Sequence, residues 1–386
     1  MRMLKRTPLI AVIAGVILVV GFLVYAAVHT TYSPNASARM AGNYLVSVTK
    51  DDGTFHYSID PLSGTASTAY NILRHAGTTY SMLEWYEYDR DPAVLDAAKR
   101  ALAFLAEQVH PCPAPFDGAC VVEKNEVKLG GNGLAVLAFA KYQSVTGDTT
   151  YEATARSLAK YITGTQTPEG EFAAHKIQFD TGSIDDFNSS YYPGEALFAL
   201  ARLSEVTGDR SYIDAAHLGA HWIIEVRDTG KGVGEIEHSH WFLYALNERY
   251  TDRADTEYLT HTRLIVDAIV QTQHQNMSGD TADWNGGYYN PPRSTPTATR
   301  SEGLAASIAL FRQASDNAYE KKATDALRRG IVFQQKTQMT PDKVEKLNAH
   351  PLSLGGFSES LDEYEIRIDY VQHNLSALIA YIKLRE

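Results

Sequence analysis

Thr146-Gly147-Asp148-Thr149-Thr150-Tyr151 and Thr207-Gly208-Asp209-Arg210-Ser211-Tyr212 are one joint written twice. Each follows an apolar run rich in small residues and precedes an amphipathic one. Gly after the last helical residue and Asp before the next helix are the stop and cap signals of a tight helix-to-helix turn. Outward from these joints the same unit recurs: an amphipathic helix, a turn containing Gly, a variable loop, then a more apolar helix. The turns read Asp52-Gly53-Thr54-Phe55, Glu169-Gly170-Glu171-Phe172, Gly286-Gly287-Tyr288 and Gly355-Gly356-Phe357. Apolar residues three or four apart with charges between them predict outer helices over 36–50, 92–109, 149–165, 210–226, 257–274 and 318–336. Inner helices, dominated by Ala, Gly and Leu, are predicted over 64–87, 130–146, 193–206, 238–250, 298–315 and 367–384.

One hairpin cannot bury the apolar face it presents, so the repeats must pack side by side. An open array would end in polar capping repeats, whereas the last run, Val371 to Ile382, is as apolar as the internal ones. The ring therefore closes, and the fold class is an all-α (α/α)6 toroid of six helical hairpins preceded by one N-terminal transmembrane helix. The Thr-Gly-Asp joints are tight, while those on the other face exceed the usual loop median of about 4–6 residues. Long loops gathered on one end of a rigid scaffold are where function is expected.

On the repeated helix, Asp-Gly-x-Phe turn, loop, helix unit, and on Tyr191-Tyr192-Pro193-Gly194-Glu195-Ala196-Leu197, the chain resembles the six-hairpin toroids of glycoside hydrolases, polyuronate lyases and uronyl C5-epimerases. The resemblance covers nearly all of the chain beyond the N-terminal apolar run and implies a carbohydrate-active enzyme. No carboxylate pair matches a family signature, so no catalytic residue is carried over from it.

Ahead of the repeats, Arg2, Lys5 and Arg6 precede an uncharged apolar run from Pro8 to Val28. About 20 such residues span a bilayer as a helix, and basic residues on the short side stay in the cytoplasm. The expected division is a cytoplasmic 1–7, a signal-anchor over 8–28, and an extracytoplasmic toroid domain over 29–386. A long cleaved signal ending near Ala26-Ala27 would alter the attachment but not the compartment. Only Cys112 and Cys120 are present, bracketing a short loop, and in an oxidising compartment a disulfide is the simplest reading. A net charge of −11 argues against a nucleic-acid partner.

The polar residues at the inner-helix N-termini define the candidate site. Tyr70, Arg74 and Gly77 form one stripe of the first inner helix, with His75 beside them. An Arg and a His in an apolar helix are either a buried structural pair or a substrate contact, the Arg fork suiting a sugar carboxylate. Tyr191 and Tyr192 offer a stacking floor beside Glu195, which the positive end of the helix dipole should keep ionised. Thr299-x-x-Glu302 reads as a capping box, leaving Arg300 free to face the opening. Glu237-His238-Ser239-His240-Trp241 could ligate metal but lacks a third well-placed ligand, so His238 or His240 is read as a proton-transfer group and no metal or cofactor is expected. Asp369 and His373, four apart, form an acid/base couple or a solvated helix pair. Trp284 and the abundant tyrosines suit a sugar cleft.

Glu195, Asp369, His75 and His238 are thus the expected catalytic residues, and Tyr70, Arg74, Tyr191, Tyr192, Trp284, Arg300 and His373 the expected substrate contacts. The leading expectation is a membrane-anchored glycosidase acting on an extracytoplasmic polysaccharide or glycan, within envelope polysaccharide machinery. A uronate lyase or C5-epimerase needs only a proton abstractor and an Arg, which Arg74, His75 and Arg300 supply. A non-catalytic glycan-binding scaffold would keep the ring without a convergent acid/base couple.

Overall fold

In the computed structural model, residues 32–386 are described. The anchor expected at 8–28 and the N-terminus 1–7 lie outside the described residues. Among those described, no helix is long and apolar enough to cross a membrane.

Six outer helices, α1 (Pro34–Val48), α3 (Pro92–Glu107), α5 (Glu152–Gly164), α7 (Arg210–Trp222), α9 (Thr256–Thr272) and α11 (Asn317–Thr337), surround six inner ones. The inner ring is α2 (Ile72–Asp89), α4 (Leu129–Thr146), α6 (Tyr192–Thr207), α8 (His240–Asp252), α10 (Ser294–Gln313) and α13 (Ile368–Lys383), with a short α12 (Pro341–Leu347) in the last long loop. Each inner helix packs on the next, and α13 returns to α2, closing the toroid. Local chemistry sets the boundaries. Ser33, Asp91, Asp209, Asp255 and Asp316 accept hydrogen bonds from first-turn N–H groups of the outer helices they precede. Gly147 and Gly208 end α4 and α6 in the left-handed conformation.

The turn glycines bolt neighbouring hairpins together. Gly355 has φ +89°, and a Cβ on it would lie 2.1 Å from the Met40 carbonyl oxygen of α1, so the turn of the last hairpin docks on the first. Gly53, Gly118, Gly170 and Gly286 dock in the same way on α3, α5, α7 and α11. At three of these joints a Gln adds a two-pronged bond: Gln338 donates to the carbonyls of Ser37 and Gly355, Gln273 to those of Ala326 and Gly286, and Gln166 to those of Ala215 and Gly170. Closure is therefore written into a repeated turn as well as into apolar burial.

Two inner helices begin elsewhere than expected. The first starts at Ile72, not at 64, because Gly64 turns the chain and Ala66 bridges to Ile59; Asn71 then caps the helix through the Arg74 N–H. Tyr70 is consequently outside the helix. The fifth starts at Ser294, which places Thr299 and Glu302 inside it and removes the capping-box reading.

The long loops carry strands that the helical pattern does not signal. β2 (Val109–Pro111), β3 (Ala119–Glu123), β4 (Glu126–Lys128) and β5 (Lys176–Gln178) form an antiparallel sheet beside α4, and Cys112 and Cys120 are bonded within its first hairpin, Cα atoms 5.2 Å apart. β1 (Ser58–Ile59) pairs with β6 (Ile366–Arg367), joining the first and last loops at the mouth.

Candidate functional site

Three successive inner helices bring His240, Glu302 and His373 together. Ser239 caps α8 through the Phe242 N–H and so starts that helix at His240. Gly303 lets α8 and α10 approach closely, since a Cβ there would lie 2.6 Å from Leu243 and 3.3 Å from the Cα of His240. Glu302 is 1 % exposed; its Oε2 is 2.8 Å from His373 Nδ1 and 3.9 Å from His240 Nε2, and the Tyr244 hydroxyl is 3.4 Å from Oε1. Burial lifts the Glu302 carboxyl to about 7, against the opposing pull of His373. Burial holds the His240 imidazole well below its usual range, and neither ring nitrogen has a hydrogen-bond partner. The two imidazoles are nearly perpendicular, centroids 5.1 Å apart. A neutral base beside an imidazole–carboxyl pair can take up and return protons.

A cationic rim surrounds this centre. Arg300 donates to His238 Nδ1 at 3.1 Å and to the Tyr289 hydroxyl at 3.3 Å, and lies over the rings of Tyr288 and Tyr289. Burial and that guanidinium push His238 down to about 4, so it accepts a hydrogen bond rather than donating a proton. Tyr191 is exposed, its ring 6.4 Å from His240. Across the mouth, Asp369 is gripped by Arg367 at 2.5 and 2.9 Å and approached by Arg74 at 3.2 Å, while Arg74 also donates to the Tyr57 hydroxyl. The side chain of Arg74 remains 36 % exposed.

Several expected roles change with this geometry. His75 is wholly buried, burial holds it near 4, and both its nitrogens are engaged, one with the Tyr70 hydroxyl and one with the Ala101 carbonyl. Tyr70 is spent on His75 and on the Phe55 N–H, which removes it from the mouth. Asp369 and His373 share a helix face but not a bond: one is held by arginines, the other by Glu302. Glu195 is not an exposed, ionised first-turn carboxylate. It is 4 % exposed, Oε2 has no partner, and burial raises its pKa to about 8 despite the helix N-terminus. Gly130 makes room for it, since a Cβ there would sit 1.9 Å from Oε2 and 2.4 Å from Tyr192. Trp284 packs on His274 beside Asp283, which pairs with Lys336 of outer helix α11, so it lies at the periphery.

In the sequence His240 stands out only beside His238, and Glu302 has the spacing of a capping box. Their meeting with His373 depends on contacts between helices, for which a single local motif carries no signal.

No family model matches the chain, and no curated protein does. Among solved structures, the chain is similar to D-mannose isomerase (TM-score 0.66, 13 % identity, covering 91 % of this chain and 97 % of that one). It is similar to cellobiose 2-epimerase from Spirochaeta thermophila DSM 6192 (0.64, 14 %, 90 % and 95 %). It is likewise similar to the GH76 α-mannanase of Bacteroides thetaiotaomicron (0.62, 12 %, 92 % and 96 %). These are (α/α)6-toroid carbohydrate-active enzymes, and at such identities the likeness shows the shared fold.

Proposed function

We propose that the chain is a carbohydrate-active enzyme that moves a proton on a sugar carbon next to a carbonyl, as a sugar isomerase or epimerase does. The observation that carries this reading is the His240–Glu302–His373 cluster: one imidazole kept neutral, a second held by a carboxyl group. On an open-chain aldose, His240 takes the C2 proton and the C–H electron pair becomes the C1–C2 double bond. The negative charge passes to the carbonyl oxygen. His373, oriented through Nδ1 by Glu302, supplies a proton to C2 from the other side as the C1 carbonyl re-forms, giving the epimer; for the ketose, the O2 proton passes to O1 and His373 protonates C1 as the carbonyl forms at C2. Arg300 and Arg74 would hold sugar oxygens, and Tyr191 a sugar face. The expected attachment through an anchor at 8–28, with the toroid domain 29–386 outside the cytoplasm and a glycan-derived sugar as substrate, completes the proposal.

Hydrolysis is the second reading, favoured by Glu195, whose raised pKa suits a general acid. A glycosidase needs a second carboxylate about 5–9.5 Å away, and the one expected for it, Asp369, is engaged by two arginines. Incubation with mannose, glucose, cellobiose and mannan-type oligosaccharides separates the two. Interconversion of reducing sugars that falls about 10²–10⁴-fold in Glu302→Gln supports proton transfer. Release of new reducing ends that survives in Glu302→Gln and vanishes in Glu195→Gln supports hydrolysis instead.

A further inference from the structure

We propose that His240, Glu302 and His373 also form a binding site for one divalent transition-metal ion of the zinc type. The donor set is two imidazoles and a carboxylate, a combination that zinc and its neighbours accept while leaving a position open. The ligand atoms of all three lie within 4.8 Å of one another. Around an ion with bonds of about 2.0–2.2 Å, tetrahedral ligand atoms stand roughly 3.4 Å apart. The separations to Glu302 Oε2, 2.8 Å from His373 and 3.9 Å from His240, bracket that value.

A second observation points the same way. His240 is 3 % exposed, yet both its ring nitrogens lack any partner. Buried polar groups are nearly always satisfied, and an orphan of this kind calls for an ion or a water. The Tyr244 hydroxyl beside Oε1 would orient the carboxylate, as outer-sphere partners of metal ligands do. His373 is the least buried of the three and marks the side of entry.

The site uses the side chains of the proposed reaction but does not depend on that reaction. An ion would occupy the lone pairs that proton transfer needs, so the metal-loaded protein should be silent in sugar interconversion and the chelator-treated protein active. The test is titration of the chelator-treated full chain with Co²⁺ and displacement by Zn²⁺. One equivalent per chain is expected, with the visible absorption of a four- or five-coordinate ion. Affinity should fall at least about 10–100-fold in His240→Ala and in His373→Ala, and stay unchanged in exposed His221→Ala. If the variants fail to fold, zinc X-ray absorption on the wild type decides, with two imidazole ligands expected. No saturable binding, binding undiminished in folded His240→Ala and His373→Ala, or fewer than two imidazoles would overturn the site. Saturable binding with no interconversion in either form would support the site and overturn the proton-transfer reading.

Discussion

Glu195 sits between Gly130 and Tyr192 with one carboxyl oxygen unpartnered, and its chemistry has a consequence for stability. Its folded pKa, about 8, lies above the ordinary 4.5, so between those values the folded state holds a proton that the unfolded state releases. Stability is therefore full at low pH, falls as pH rises through this window, and levels off above it, a loss on the order of 5 kcal/mol. Glu195→Gln should abolish that slope and raise the stability at pH 8. Denaturation curves at pH 5 and pH 8 check this; equal slopes in wild type and variant would contradict it. Arg74 behaves differently. Because Arg367 keeps Asp369 paired without it, Arg74→Ala should cost no more than about 1 kcal/mol, in line with other part-exposed pairs. Its effect should fall on KM for the sugar instead, and a loss of several kcal/mol would make Arg74 a structural residue. Neither environment is legible from neighbours in sequence. The aromatic pair and the first-turn position of Glu195 are visible there, but the glycine that admits its carboxyl comes from α4.

Among the elements, the docking turns are what the sequence displays most openly. Gly355→Ala should destabilise by about 2 kcal/mol or more, because a left-handed alanine costs roughly 1–2 kcal/mol and the added methyl also meets the Met40 carbonyl. Gly230, equally left-handed but with open space around it, is the control: Gly230→Ala should cost only the conformational share. Equal losses in thermal melts of the two variants would contradict the docking role. The Cys112–Cys120 hairpin should contribute about 2–3 kcal/mol through the unfolded state, seen as a lower Tm on reduction. Two free thiols in protein from its native compartment would contradict the bond. Outer-helix positions are readable because each carries an amphipathic period and five of the six carry a side-chain cap. The strands are not, since residues such as Lys128 and Lys176 pair across a whole hairpin and each strand is too short to show alternation.

For the whole molecule, the toroid follows from six faces that cannot be buried singly, and the mouth follows from the toroid. Closure joins β1 to β6 and α13 to α2, which carries Arg74 of the first inner helix to Asp369 of the last. The packing of α13 on α10 sets His373 against Glu302, and the fold so formed is the one shared by sugar isomerases, epimerases and mannanases. That the inner-helix N-termini would form a polar mouth could be read from the repeat; which side chains face the centre could not, because a shift of a few residues in two helix starts reassigns them. The most direct measurement is incubation of the chelator-treated full chain with reducing sugars in D2O, followed by NMR. Proton transfer at the His240–Glu302–His373 centre requires deuterium to appear at C2 of an epimer or at C1 of a ketose, and to be lost in His240→Ala. Cleaved glycan with no deuterium incorporated would contradict it.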